Sequence, residues 1–171
     1  MTSRWLILTL PAIFVLIADQ LTKWWIITNM SLTDEITVIP GLFSIVSVRN
    51  RGAAFGFLNR SDIDWQLWLF LAATAVAVWS IIVLVRRSGY APLLWSGLGC
   101  ILGGAMGNMT DRIRMREVVD FLDFYWQSTH WPAFNVADIA ICAGAGLALL
   151  AMMLGHDRRP VLKSSIREKQ L

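Results

Sequence analysis

Charge is scarce in this sequence. Asp, Glu, Lys and Arg make up 16% of its 171 residues, against about a quarter in soluble domains. Hydrophobic residues reach 56%, and the mean hydropathy is +0.57. Histidine and cysteine are nearly absent, at two each. His130 and His156 stand in polar stretches far apart in the chain, and no Ser or Cys has a base close by, so a Ser–His or Cys–His nucleophile is disfavoured. Cys100 and Cys142 both fall inside apolar blocks. They suggest no disulfide framework and, without histidine neighbours, no metal site; no cofactor is expected. The net charge of +3 comes mostly from a basic C-terminal tail, which suits anionic lipid, and nothing signals nucleic-acid binding. Repeats and low-complexity segments are missing too.

What is present is apolar length. A spanning helix needs roughly 20 mainly apolar residues. Four blocks qualify, at about 5–27, 65–85, 93–112 and 132–154. The expected fold is an all-α membrane protein of four transmembrane helices, forming one domain over 1–171. An even number of spans puts both termini on one side. The segments 1–4, 86–92 and 155–171 carry eight Lys and Arg in short stretches, whereas 28–64 and 110–131 spread six over more residues. That bias places both termini in the cytoplasm. Trp24, Trp25, Trp65, Trp68, Trp126 and Trp131 fall at the outer boundary, and Trp5 and Trp95 at the inner one, where indoles gather. The first block has no small-residue cleavage site after it and ends in Asp19 to Lys23, so it reads as a retained span.

The outer segment after the first block is too long for a simple connection. Residues 36–48 are rich in β-branched and aromatic types and are broken by Pro40-Gly41, a turn signal. A small β-sheet on the extracytoplasmic face, within about 34–58, is expected. It must be interfacial or packed on the bundle, since an open sheet edge cannot sit in lipid.

Ionisable residues in spans are costly and usually functional. Asp19 and Lys23, Asp111 and Arg112, and Asp138 lie at one outer level on three spans. A span starting near residue 132 would put Asp138 about 9 Å along its axis. Gly99, Gly103 and Gly107 repeat every fourth residue, the spacing that lets helices approach closely. Asn135, Asp138 and Cys142 share a stripe on the fourth block. Several polar residues have plain structural readings: Asp19–Lys23 as an i, i+4 salt bridge, Asp111–Arg112 as a helix-end ion pair, and Asn50 as a turn residue. Asp120 and Asp138 stand among apolar neighbours without an adjacent cation, a setting that raises a carboxyl pKa. Two facing carboxyls sharing a proton supply a general base and a general acid. Spacing alone leaves ten pairings among Asp19, Asp111, Asp120, Asp123 and Asp138.

Five blocks occur in order: Asp19-Gln20-Leu21-Thr22-Lys23; Asn50-Arg51-Gly52-Ala53-Ala54-Phe55; Gly103-Gly104-Ala105-Met106-Gly107-Asn108 with Asp111-Arg112; Val118-Val119-Asp120-Phe121; and Phe134-Asn135-Val136-Ala137-Asp138. Together they resemble bacterial lipoprotein signal peptidase, signal peptidase II, over about residues 5–155. The resemblance implies an aspartic endopeptidase, free of metal and cofactor. Its substrate would be a prolipoprotein bearing a diacylglyceryl-cysteine, cut just before that cysteine at the periplasmic face of the inner membrane. It implies Asp120 and Asp138 as the catalytic pair. Asp19, Lys23, Asn50, Gly52, Ala53, Asn108, Asp111, Arg112 and Asn135 would bind substrate or support the site. The only other expected partner is membrane lipid, and the chain is expected to be monomeric. Two rivals make different demands. A proton-coupled transporter needs polar groups through the whole bundle, and the inner halves of the blocks are nearly free of them. A membrane scaffold leaves Asp120 and Asp138 unexplained.

Overall fold

The computed structural model describes residues 2–52 and 65–155. Four helices appear among them: α1 (Thr2–Asn29), α2 (Gln66–Arg87), α3 (Pro92–Met115) and α4 (Val136–Met153). Four strands accompany them: β1 (Glu35–Ile39), β2 (Phe43–Asn50), β3 (Val118–Trp126) and β4 (Thr129–His130). Ala53, the 53–58 part of the expected β segment and the basic tail 156–171 lie outside the described residues.

Helix α3 is the axis of the bundle and packs on α1, α4 and α2. Its glycines make this possible on two sides at once. A Cβ on Gly103 would meet the Ala12 carbonyl oxygen of α1, and one on Gly104 would meet the Ala137 carbonyl oxygen of α4. Around the start of α3, Leu8, Ile81, Val85, Leu94, Leu98 and Ala151 form a buried cluster with Trp95. Trp95 is therefore packed against protein and not exposed. Its ring packs edge-on to Tyr90 and its Nε1–H donates to the Ser88 hydroxyl at 2.8 Å, which satisfies the one polar atom of the buried indole. The six tryptophans expected at the outer boundary are exposed.

Three helices, α1, α2 and α4, are long and apolar enough to cross a membrane. Helix α3 is as long, but its glycines and its polar C-terminal end keep it out of that class. It also runs on to Met115 instead of stopping at Arg112.

The sheet is antiparallel throughout, in the order β1-β2-β3-β4. The turn between β1 and β2 holds Pro40 and Gly41, and Gly41 takes a φ of 78°, which glycine adopts without a Cβ clash. Strand β3 was not foreseen, although Val118 to Trp126 is mostly β-branched and aromatic. Its pairing with β2 sets Asp120 opposite Val48. Phe134 then bridges to Leu122, so 131–134 runs beside β3 and helix α4 starts only at Val136. Asp138 consequently stands in the first turn of α4, not 9 Å down its axis. Asn135 is the N-cap: its Oδ1 accepts the Asp138 N–H, and the Asp138 carboxylate accepts the Asn135 N–H. This reciprocal box satisfies two helix-end donors.

The glycine contacts give a direct test. Gly104→Ala should lower stability by about 1–3 kcal/mol, the usual cost of overpacking. Gly146→Ala should be close to neutral, because a Cβ there has nothing within 4 Å. Thermal unfolding of both purified variants in detergent measures the contrast, and equal effects would refute the packing account.

Candidate active site

The site is built outward from one buried ammonium. Lys23 of α1 spends its three protons on Asp19 Oδ2 at 2.9 Å, Asp111 Oδ2 at 2.8 Å and Asn108 Oδ1 at 2.8 Å. Lys23, Asp19 and Asp111 are all at most 1% exposed. Gln20 adds Nε2 contacts to Asp19 at 3.2 Å and Asp111 at 3.0 Å. The remaining acceptor capacity reaches the main chain on either side. Asp19 Oδ1 takes the Ala137 N–H at 2.9 Å, and Asp111 Oδ2 takes the Val119 N–H at 3.4 Å. These are the residues immediately before Asp138 and Asp120. The network thus fixes two separate pieces of backbone that carry the two acids.

Asparagines complete the connection. Asn135 Nδ2 donates to Asp120 Oδ1 at 2.7 Å, and the Asn135 N–H donates to Asp138 Oδ2 at 3.2 Å. Asn108 Nδ2 donates to Asp138 Oδ1 at 2.8 Å. From the sheet, Asn50 Nδ2 donates to Asp120 Oδ2 at 3.1 Å. Asp120 is 3% exposed. Burial pushes its carboxyl up to about 6, against the Asn50 hydrogen bond, with the nearby Asp138 charge adding to the rise.

Both acids open into a cavity of about 670 Å³. Its polar wall holds Asn50, Asn108 and Arg112, while Phe134, Ile139 and Ile141 belong to its apolar wall. This arrangement can hold a peptide bond beside two carboxyls and against an apolar wall. Among the described residues no cluster of three His, Cys, Asp or Glu offers a metal site.

Most of the residues singled out from sequence meet here. Asp19 and Lys23 form the foreseen salt bridge, and Asn50, Gly52, Asn108, Asp111, Arg112 and Asn135 join them around Asp120 and Asp138. Asp123 is the acid left out; it faces His130 Nδ1 at 2.8 Å in the sheet. Two readings need correction. Asp111 does not pair with Arg112 but with Lys23, because successive helical side chains diverge and the third helix turns Asp111 toward α1. Asp120 and Asp138 are also not without cations: Arg112 acts on both electrostatically, and Lys23 acts on Asp120. Arg112 itself donates to the Gly52 carbonyl at 2.9 Å and lies 4.0 Å over the Phe70 ring. Gln20 and Phe70 were missed. Gln20 had a signal, a polar side chain inside an apolar block, whereas Phe70 looks like any apolar residue of α2.

The family described as Signal peptidase (SPase) II matches residues 11–154. The Lipoprotein signal peptidase of Nitratidesulfovibrio vulgaris (strain DP4) is 59% identical over 147 residues, covering 86% of this chain and 88% of that one. The Lipoprotein signal peptidase of Oleidesulfovibrio alaskensis is 53% identical over 152 residues, covering 89% and 97%. Among solved structures, a bacterial membrane enzyme determined in meso at 2.3 Å resolution aligns with TM-score 0.76 and 31% identity, over 95% of this chain and 92% of that one. A second, at 1.9 Å, aligns with TM-score 0.72 and 32% identity, over 84% and 90%.

Two measurements probe the geometry. Lys23→Met leaves Asp19 and Asp111 buried without their cation and should cost about 3–5 kcal/mol; adding Asp19→Asn and Asp111→Asn should recover much of it in thermal unfolding. Carbon-13 NMR of labelled aspartate should show Asp120 titrating at about 6. Asp138→Asn removes a negative neighbour and should move that value down. Asn50→Ala removes a donor to the carboxylate and should move it up.

Proposed function

The chain belongs to the signal peptidase II family, the lipoprotein signal peptidases, and on that premise we propose that it is an aspartic endopeptidase in which Asp120 and Asp138 are the catalytic pair. One observation carries the assignment. Of the five candidate acids, Asp19 and Asp111 are held by Lys23 and Asp123 faces His130, while Asp120 and Asp138 share the cavity and are joined through Asn135.

The chemistry follows from two carboxyls that share one proton. The ionised one takes a proton from water as that water attacks the scissile carbonyl. The protonated one donates to the carbonyl oxygen, so charge does not build up in a low-dielectric site. Burial raises the Asp120 carboxyl to about 6, so it keeps a proton to higher pH than a free carboxyl does, and the apparent constants belong to the pair. Asn135 and Asn108 hold both acids in place before substrate arrives. Asp19, Lys23, Asp111 and Arg112 act one step further out, Asn50 and Gly52 border the cavity beside the end of β2, and Ala53, which follows them in the sequence motif, is assigned to substrate binding with them.

The substrate we assign is a prolipoprotein bearing diacylglyceryl-cysteine, cut just before that cysteine. Each buried methylene contributes about 0.8 kcal/mol to membrane anchoring, so the lipid holds the scissile bond at the level of the acids. Helix α3 serves as a fourth span, enclosed by α1, α2 and α4, so its glycines and polar end face protein. Both termini lie in the cytoplasm, the site faces the periplasm across the inner membrane, and the chain acts as one monomeric domain over 1–171. The exposed tryptophans support that height, and the Lys and Arg bias between the segments supports the orientation.

Purified protein should cleave a diacylglyceryl prolipoprotein and leave its unlipidated form largely uncut. Asp120→Asn and Asp138→Asn should each reduce turnover by roughly 10²- to 10⁴-fold while thermal unfolding shows the fold intact. Normal cleavage by either variant would remove that residue from the catalytic role.

A further inference from the structure

Asp120 depends on a chain of contacts that begins on α2. The Phe70 ring lies 4.0 Å below the guanidinium carbon of Arg112. Arg112 donates through Nη2 to the Gly52 carbonyl at 2.9 Å and through Nη1 to the Asn108 carbonyl at 3.4 Å. The Gly52 N–H in turn donates to Asn50 Oδ1 at 2.9 Å. That bond decides which way the Asn50 amide faces, because its oxygen is committed to Gly52 and its Nδ2 is left to donate to Asp120 Oδ2 at 3.1 Å. A guanidinium is planar, and a ring face restricts both its position and its tilt.

We propose that Phe70 is a positioning residue for catalysis, acting through Arg112, Gly52 and Asn50 on the orientation of Asp120. It never touches the acid. It confines the guanidinium so that the Asn50–Gly52 turn keeps its amide aimed at the carboxylate. The proposal rests on the dyad reading above. It also gives α2 a part in the chemistry beyond packing on α3.

The test uses the full chain with diacylglyceryl prolipoprotein as substrate. Phe70→Leu and Phe70→Met remove the ring face and leave every charge around Asp120 in place, namely Asp138, Arg112 and Lys23. Each should lower kcat roughly three- to tenfold, the size of one cation–π contact, with KM changed less than about twofold. Phe70→Tyr keeps the ring face and should restore kcat. In an Asn50→Ala background, Phe70→Leu should have no further effect, since the relay is already cut. The Asp120 carboxyl should titrate higher in Phe70→Leu, as in Asn50→Ala. Thermal midpoints establish that the variants compared are folded. Wild-type kcat in both Leu and Met variants, effects that multiply on Asn50→Ala, or failure of Phe70→Tyr to rescue would each overturn the proposal. Asp120→Asn runs alongside as a control: activity there sinks the dyad, whereas an inactive Asp120→Asn beside an unaffected Phe70→Leu sinks only the role of Phe70.

Discussion

A lysine ammonium in an apolar bundle is costly unless all three of its protons find acceptors. Lys23 meets that demand with two carboxylates and one amide oxygen, drawn from α1 and α3. The requirement reaches further than charge. Each carboxylate also accepts a main-chain N–H from another element, Asp19 from the start of α4 and Asp111 from the start of β3. Satisfying one cation therefore sets where two distant stretches of chain lie. The acids proposed for catalysis are the next residues along each stretch.

This arrangement needs helices closer together than ordinary side chains permit. The glycines of α3 remove the obstruction on the α1 side and on the α4 side, which brings Asn108 within reach of both Lys23 and Asp138. The sheet supplies the remaining wall. Pairing of β2 with β3 carries Asn50 to Asp120, and the bridge from Phe134 to Leu122 delivers Asn135 to the same carboxylate. Asn50 of β2, Asn108 and Arg112 of α3, Asp120 of β3 and Asp138 of α4 thus meet around one cavity.

Much of this was legible in the sequence, because local rules governed it. Apolar blocks marked the helices, i, i+4 spacing gave the Asp19–Lys23 pair, and Pro40-Gly41 marked the hairpin. What escaped depended on how one element turns against another. The partner of Asp111 is set by the rotation of α3, not by its neighbour Arg112. The start of α4 is set by the Phe134 bridge to β3, which no helix signal reports, and so the depth of Asp138 was overestimated. Strand β3 was hidden because two acids interrupt its apolar run. The choice among ten acid pairs followed from family resemblance, and the contacts of Lys23 and His130 give it a physical basis.

Helix α3 is read on three sides at once: glycines against α1 and α4, Asp111 toward Lys23, Arg112 toward Phe70. Successive residues of a helix are rotated by about 100°. Loss or gain of a single residue between Gly103 and Asp111 would swing every later side chain by that angle, sending Asp111 away from Lys23 and Arg112 away from Gly52. The residue count of α3 cannot change without dismantling the site.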